Sequence, residues 1–307
     1  MKKRRIIKIG ALALLGTMLL GGQAYANWKL DATGWQFVMQ DGTVMKNRWE
    51  WIDGNFDGYA ELYYLDSDGY CLLDGVKDGK SVNENGAWTQ HGVVQTWDLR
   101  NLQGWYQLNG GEVYLDSDGM IWRDRVTPDN FYVDEDGRKV TDSGIDEEMM
   151  AEKSQGQRYI VICKSSHHLE LWNNGVKTHS FIITSGELEG DKERERDKRT
   201  PEGEFYVCKK VPNSQYHLAL ALNYPTIEDA ERGLRDGLIT QAQYNGIVAA
   251  NERGEMPNWY TPLGGEIEIH GYRQPTDATR GCIGMRNEDI ELLYSLVSKN
   301  DKVLILP

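Results

Sequence analysis

Tyr64-Leu65-Asp66-Ser67-Asp68-Gly69 recurs as Tyr114-Leu115-Asp116-Ser117-Asp118-Gly119 fifty residues later, and Tyr132-Val133-Asp134-Glu135-Asp136-Gly137 is a third, looser copy. Gly34-Trp35 and Gly104-Trp105 open similar units. Asp-Gly supplies the positive-φ turn of a tight hairpin, so each unit predicts an aromatic strand, a turn and a second strand. A single hairpin is marginal in water, and its apolar face must be covered by the next unit. Residues 27–140 are therefore expected to form a β-hairpin repeat array.

Asp-x-Asp-Gly also opens calcium loops of the EF-hand kind, which need a Glu at the twelfth position. Counted from Asp66 that position is Lys77, and from Asp116 it is Thr127. These segments are read as turns. Ten Trp and 16 Tyr against five Phe fit a wet binding surface, because Trp and Tyr join an apolar face to a polar tip.

Lys2, Lys3, Arg4, Arg5 and Lys8 precede an apolar run from about Ile9 to Leu20, and Ala24-Tyr25-Ala26 follows. That order predicts a signal peptide over 1–26 and a mature chain beginning at Asn27. An uncleaved anchor is the alternative, disfavoured because the apolar run is short for a spanning helix. Without those residues 29 basic side chains face 47 acidic ones, a net charge of −18. Such a chain repels phosphate backbones, so nucleic acid is not an expected partner.

Trp35, Asp41-Gly42, Trp49, Tyr63-Tyr64-Leu65-Asp66 and Asp68-Gly69-Tyr70 resemble choline-binding-type cell-wall-binding repeats. The resemblance implies a solenoid of hairpins whose aromatic rings cage a quaternary ammonium or grip a wall polymer, choline-bearing teichoic acid being one candidate. Trp35, Trp49, Tyr64, Trp105, Tyr114 and Trp122 are the candidate wall-binding rings. The competing reading is that these rings only pack one hairpin on the next. The copies are degenerate, which points to wall attachment more than to choline.

Residues 141–157 are polar and acidic, with Gly144 and Gly156, and read as a linker. From Arg158 the pattern changes. Tyr159–Cys163, Leu169–Trp172, Val176–Thr184, Glu204–Cys208, Glu266–His270 and Val303–Leu306 are strand-like runs. Three helices are expected: one capped by Thr226 with Asp229 three residues on, one over 241–252, and one starting at Asn287. Glu187 to Arg199 is nearly all charged and reads as a solvated loop, a mobile lid being the weaker alternative. Of the four cysteines, Cys163 and Cys208 lie in strand-like runs; they read as small buried apolar residues, and a disulfide between them stays open.

His270-Gly271 is followed by Thr279-Arg280-Gly281-Cys282-Ile283-Gly284-Met285, which sets the Cys twelve residues after the His. A thiol is nucleophilic as thiolate, and a free Cys has a pKa of ~8.5. An imidazole nearby can take its proton. His270 closes an apolar strand, and Cys282 sits in a Gly-flanked turn before a helix. Gly281 would let substrate approach the backbone, where the N–H groups of Gly281 and Cys282 could hold an oxyanion. On chemistry alone an inert buried Cys and a locally satisfied His explain the pair as well.

The run resembles the L,D-transpeptidase (YkuD) catalytic domain, with its His-Gly strand end and Ser/Thr-x-Gly-Cys. Thr200-Pro201-Glu202-Gly203-Glu204-Phe205, Phe181 to Gly186 and Asn223-Tyr224-Pro225 are similar to other parts of it. The resemblance covers about 158–307. It implies a mainly β chain: the hairpin array, then a YkuD-like β-sandwich with a helical insertion and a C-terminal helix. It implies Cys282 as nucleophile, His270 as its base and the Gly271 carbonyl as the group orienting the imidazole. Peptidoglycan stem peptides would be the substrate, in a secreted, wall-associated protein. Tyr272, Arg280, Gly281 and Arg286 are candidate substrate contacts. The second residue after the Cys departs from the family, where it is usually Arg or Asn; here it is Gly284, and Arg286 is expected to hold a substrate carboxylate in its place. No cofactor is called for, and His91, His167, His168, His179 and His217 show no metal-ligand spacing. Hydrolysis by the same pair and a silent wall-binding protein are the alternatives.

Overall fold

The computed structural model describes residues 27–39 and 43–307. The expected leader at 1–26 and the Asp41-Gly42 turn lie outside the described residues. The chain divides into two compact units, one running up to Thr127 and including Val133–Lys139, the other formed by Pro128–Tyr132 and Val140–Pro307. Among the described residues no helix is long and apolar enough to cross a membrane.

The first unit is built of antiparallel hairpins: Asn27–Leu30 with Trp35–Val38, Arg48–Ile52 with Tyr59–Leu65, and Gly104–Leu108 with Gly111–Leu115. The repeated Asp residues make the turns. Asp66 Oδ1 accepts from the N–H groups of Asp68 (2.9 Å) and Tyr70 (2.8 Å), and Asp116 Oδ1 does the same for Asp118 and Met120 (2.9 and 3.0 Å). Gly119 is required: its φ is 76°, and a Cβ there would fall 1.9 Å from the Leu99 carbonyl oxygen.

The second unit carries an eight-stranded sheet. Its strands are β1 (Arg158–Cys163), β2 (His168–Asn173), β3 (Val176–Ile182), β4 (Gly203–Ser214), β5 (His217–Leu222), β6 (Glu268–His270), β7 (Ile283–Gly284) and β8 (Lys302–Leu306). They lie in the order β3-β2-β1-β8-β4-β5-β6-β7. β4 is twelve residues long and serves both halves: its first four residues pair with β8, and the rest pair with β5. Ile160, Ile162, Leu169, Leu220, Leu222, Ile269, Ile283 and Val303 are fully buried and form one core. The fold is the expected mainly β sandwich.

The insertion is helical. α2 (Ile227–Arg235) and α3 (Gln241–Glu252) each open on a reciprocal capping box, Thr226 with Asp229 and Thr240 with Gln243. α4 (Asn287–Leu296) packs Ile290 and Leu293 on the core. Two segments differ from expectation. Residues 141–157 hold a further helix, α1 (Glu147–Lys153), capped by Asp146; it reads as polar because the residue it buries is the single Met150. The charged loop 187–199 is pinned from inside: Lys192 and Asp197, 3% and 8% exposed, pair at 2.7 Å. Burial pushes the Asp197 carboxyl upward, but Lys192 and two backbone N–H groups hold it below its ordinary value. All four cysteines are free, Cys163 and Cys208 included.

Candidate active site

The register of β6 and β7 brings the two candidate residues together. The strands are parallel, Ile269 opposite Ile283 and His270 opposite Gly284. Paired residues of neighbouring strands share a face, so His270 and Gly284 lie on one face, and Cys282 immediately precedes β7. Both candidates line a groove of about 830 Å³ with Tyr216, Trp259, Glu266, Glu268 and Arg273.

His270 is buried, and its Nδ1 lies 2.7 Å from the Gly271 carbonyl oxygen. A carbonyl can only accept, so Nδ1 carries the proton and Nε2 keeps its lone pair. The Tyr216 ring, at the β4–β5 turn, stacks on the imidazole with centroids 4.4 Å apart. Burial pushes the imidazole below its ordinary pKa, outweighing the upward pull of the Gly271 bond. Gly271 admits no side chain: a Cβ would meet Asn287 Oδ1 at 2.7 Å and the Tyr216 carbonyl at 2.8 Å.

Cys282 is half-buried on the groove floor, and its thiol donates to the Glu266 carbonyl at 3.2 Å. Burial, reinforced by the carboxylates of Glu268 and Glu266, pushes the thiol up to about 12. Both shifts favour the neutral forms of thiol and imidazole. Such a site can pass a proton from sulfur to Nε2 as an electrophile arrives.

The loop before Cys282 is held by its own polar groups. The Thr279 hydroxyl donates to the Cys282 carbonyl (2.7 Å) and accepts from the Gly281 N–H (3.1 Å). The Gly281 N–H is therefore engaged rather than open to an oxyanion. Upstream, Asp277 accepts from the Ser185 N–H (2.5 Å), the Ser185 hydroxyl (3.0 Å) and His167 Nε2 (3.0 Å). His167 in turn stacks on Tyr132 at 3.6 Å. Burial pushes the Asp277 carboxyl upward, but the His167 and Ser185 bonds hold it below its ordinary value. Its stabilising contribution is therefore present above the ordinary carboxylate pKa and is lost as pH falls through the folded value. Asp277→Ala is expected to cost about 3 kcal/mol at pH 7, by stranding His167 and Ser185. Thermal melts at pH 7 and pH 3 should show the gap to the wild type narrowing at the lower pH; a constant gap would count against the clamp.

Among the other expected contacts, Tyr272 is 55% exposed, and its N–H is anchored by Asn287 Oδ1 at 2.8 Å. Arg280 is exposed and lines the groove. Arg286 does not take the expected place: it is the N-cap residue of α4, and its Nε and Nη2 both bind Asp289 at 2.9 Å. A guanidinium so paired has little left for a substrate. The residues that sequence reasoning missed are Tyr216 and Arg273. Nothing in the chain near residue 216 marks it as a neighbour of His270, whereas Arg273 follows that histidine by three residues.

In the first unit the candidate rings do cluster. Trp49 and Tyr64 lie 5.4 Å apart, Trp105 and Tyr114 5.3 Å, and Tyr114 and Trp122 5.2 Å. Their faces carry the chain's own cations. Lys80 sits 5.3 Å from Trp49, Lys77 5.1 Å from Tyr64, Lys139 4.7 Å from Trp105 and Arg125 5.0 Å from Trp122. Trp35 instead packs on the core of Phe37, Ile52 and Leu65.

The family model of the L,D-transpeptidase catalytic domain (YkuD) matches residues 157–305. No curated protein matches the chain. Among solved structures, the helical cell shape determining protein Pgp2 from Campylobacter jejuni is 22% identical over 52% of this chain and 55% of its own, with a TM-score of 0.34. Mycobacterium tuberculosis L,D-transpeptidase 1 is 13% identical over 49% of this chain and 62% of its own, with a TM-score of 0.28. The choline binding domain of Spr1274 in Streptococcus pneumoniae is 26% identical over 23% of this chain and 76% of its own, with a TM-score of 0.19. The chain spans little more than half the length of the Campylobacter protein it matches.

Proposed function

We propose that residues 158–307 are a peptidoglycan L,D-transpeptidase using Cys282 as nucleophile and His270 as general base. The observation that supports this reading is one groove, beside the paired strands β6 and β7, lined by both Cys282 and His270, the imidazole holding its proton on Nδ1. The thiol proton moves to Nε2 as sulfur attacks the carbonyl between the third and fourth stem-peptide residues. The Gly271 carbonyl holds Nδ1–H and steadies the imidazolium. His270 then returns the proton to the departing amine, the terminal D-Ala leaves, and a thioester remains on Cys282. The side-chain amine of a diamino acid on a second stem attacks it, giving a 3→3 cross-link and restoring the thiol.

Hydrolysis of the same thioester by water is the second reading. Glu266 and Glu268 favour an amine: both line the groove, and both raise the Cys282 thiol electrostatically, so a negative wall flanks the sulfur. That wall draws an ammonium group from solvent. Incubation with purified disaccharide-tetrapeptide, read by product mass, tests the choice. Cross-linked dimers are expected; tripeptide alone would overturn transpeptidation in favour of a carboxypeptidase.

The hairpin unit is proposed to hold the secreted enzyme on the wall. Trp49, Tyr64, Trp105 and Trp122 already face a lysine or arginine, so a quaternary ammonium there must displace a resident cation. Choline is expected to bind the wild type at least tenfold more weakly than it binds a Lys77→Met, Lys80→Met variant, by titration of Trp fluorescence. Equal affinities would show that these lysines do not guard the rings.

A further inference from the structure

Arg273 is a cation without a carboxylate partner among the described residues. It lines the groove beside Cys282 and His270. One of its nitrogens, Nη1, is fixed by Asn130 Oδ1 (2.8 Å) and the Ile182 carbonyl (2.9 Å). Asp289, the nearby carboxylate, is held by Arg286. Burial pushes the Arg273 guanidinium down to about 10, the direction expected of a desolvated charge lacking a close counterion.

Gly284 makes room for it. A Cβ at 284 would lie 3.4 Å from Arg273 Cγ and 2.9 Å from Thr184 Oγ1, so any side chain there would press on the Arg273 stem. Opposite His270 the sheet face is thus bare, and the nearest long side chain is Arg273. Gly284, against which the Arg273 stem lies, is two residues past Cys282 in the chain.

We infer that Arg273 binds the free α-carboxylate of the residue that leaves, so that the site selects donors ending one residue beyond the attacked carbonyl. This rests on the reading of Cys282 as nucleophile. Glu266 and Glu268 line the same groove, so it offers a cation for a carboxylate and carboxylates for an amine. The planar guanidinium, fixed through Nη1, can offer Nε and Nη2 as a fork to one carboxylate. Arg273 is a specificity-determining residue here; the proton transfers remain with Cys282 and His270.

The test separates binding from turnover. In a Cys282→Ala background, calorimetry compares a disaccharide-tetrapeptide bearing a free C-terminal carboxylate with its C-terminal amide. The free acid should bind at least tenfold more tightly. Adding Arg273→Gln should remove that preference by weakening the acid alone, and Arg273→Lys should restore part of it. Equal binding of acid and amide by the Cys282→Ala protein would overturn the proposal even if the Arg273 variants failed to fold. So would an equal loss for both ligands on Arg273→Gln. If the acid is preferred but the unsubstituted protein never turns it over, the fault lies in the proposed reaction and not in the anchor.

Discussion

Cys282→Ala should reduce formation of both cross-linked dimer and trimmed tripeptide by at least about 10³-fold, because no second thiol lines the groove among the described residues. The unsubstituted protein should also show an unusual reactivity profile. With burial holding the thiol above the range of a free cysteine of pKa ~8.5, the thiolate at pH 7 is scarce. Iodoacetamide should therefore alkylate Cys282 slowly at neutral pH and faster at each step upward to the most alkaline pH the fold survives. The sign follows from burial: it favours the neutral form, so alkali is needed to expose the nucleophile. Fast alkylation at pH 7 would mean that an ion pair already exists at rest. Turnover by the Ala variant would remove Cys282 from the reaction altogether.

Gly281→Ala carries the second large effect. Gly281 has a φ of 127°, a region L side chains rarely occupy, and a Cβ would sit 2.6 Å from the Arg199 carbonyl and 3.1 Å from Ile267 Cδ1. The first obstacle is backbone, so the loop bearing Cys282 must shift. Backbone strain of this kind costs about 1–3 kcal/mol, and a nucleophile displaced by about 1 Å loses on the order of 10² in rate. Turnover should fall about a hundredfold and the melting temperature should drop. An Ala variant with unchanged kcat and melting temperature would show that Gly281 is not what sets the loop.

Much of the second unit could be read from the chain because local signals agreed with tertiary ones. Thr226 with Asp229 announces the start of α2, and the apolar runs at 159–163 and 303–306 are core strands in fact. α1 escaped because seven residues with one buried Met carry no helical stripe. The buried Lys192–Asp197 pair escaped because a run of charges reads as solvent-facing whichever member turns inward. At the groove, Cys282 and His270 stand out by residue type and spacing, and the parallel register of β6 and β7 joins them. Arg286 misled: the Asp289 three residues on, at a helix start, was the available sign that its guanidinium would be taken. Tyr216 lies 54 residues before His270 in the chain, and only the β4–β5 turn brings them into contact.

β4 has a mechanical consequence. One continuous backbone is laced to β8 at its start and to β5 further on, and just past its end Tyr216 rests on the imidazole. Fraying of its first residues would tug on the far end like a slackened cable, so the groove wall inherits the rigidity of the core. The imidazole thus leans on the turn that follows a strand tied to both halves of the sheet.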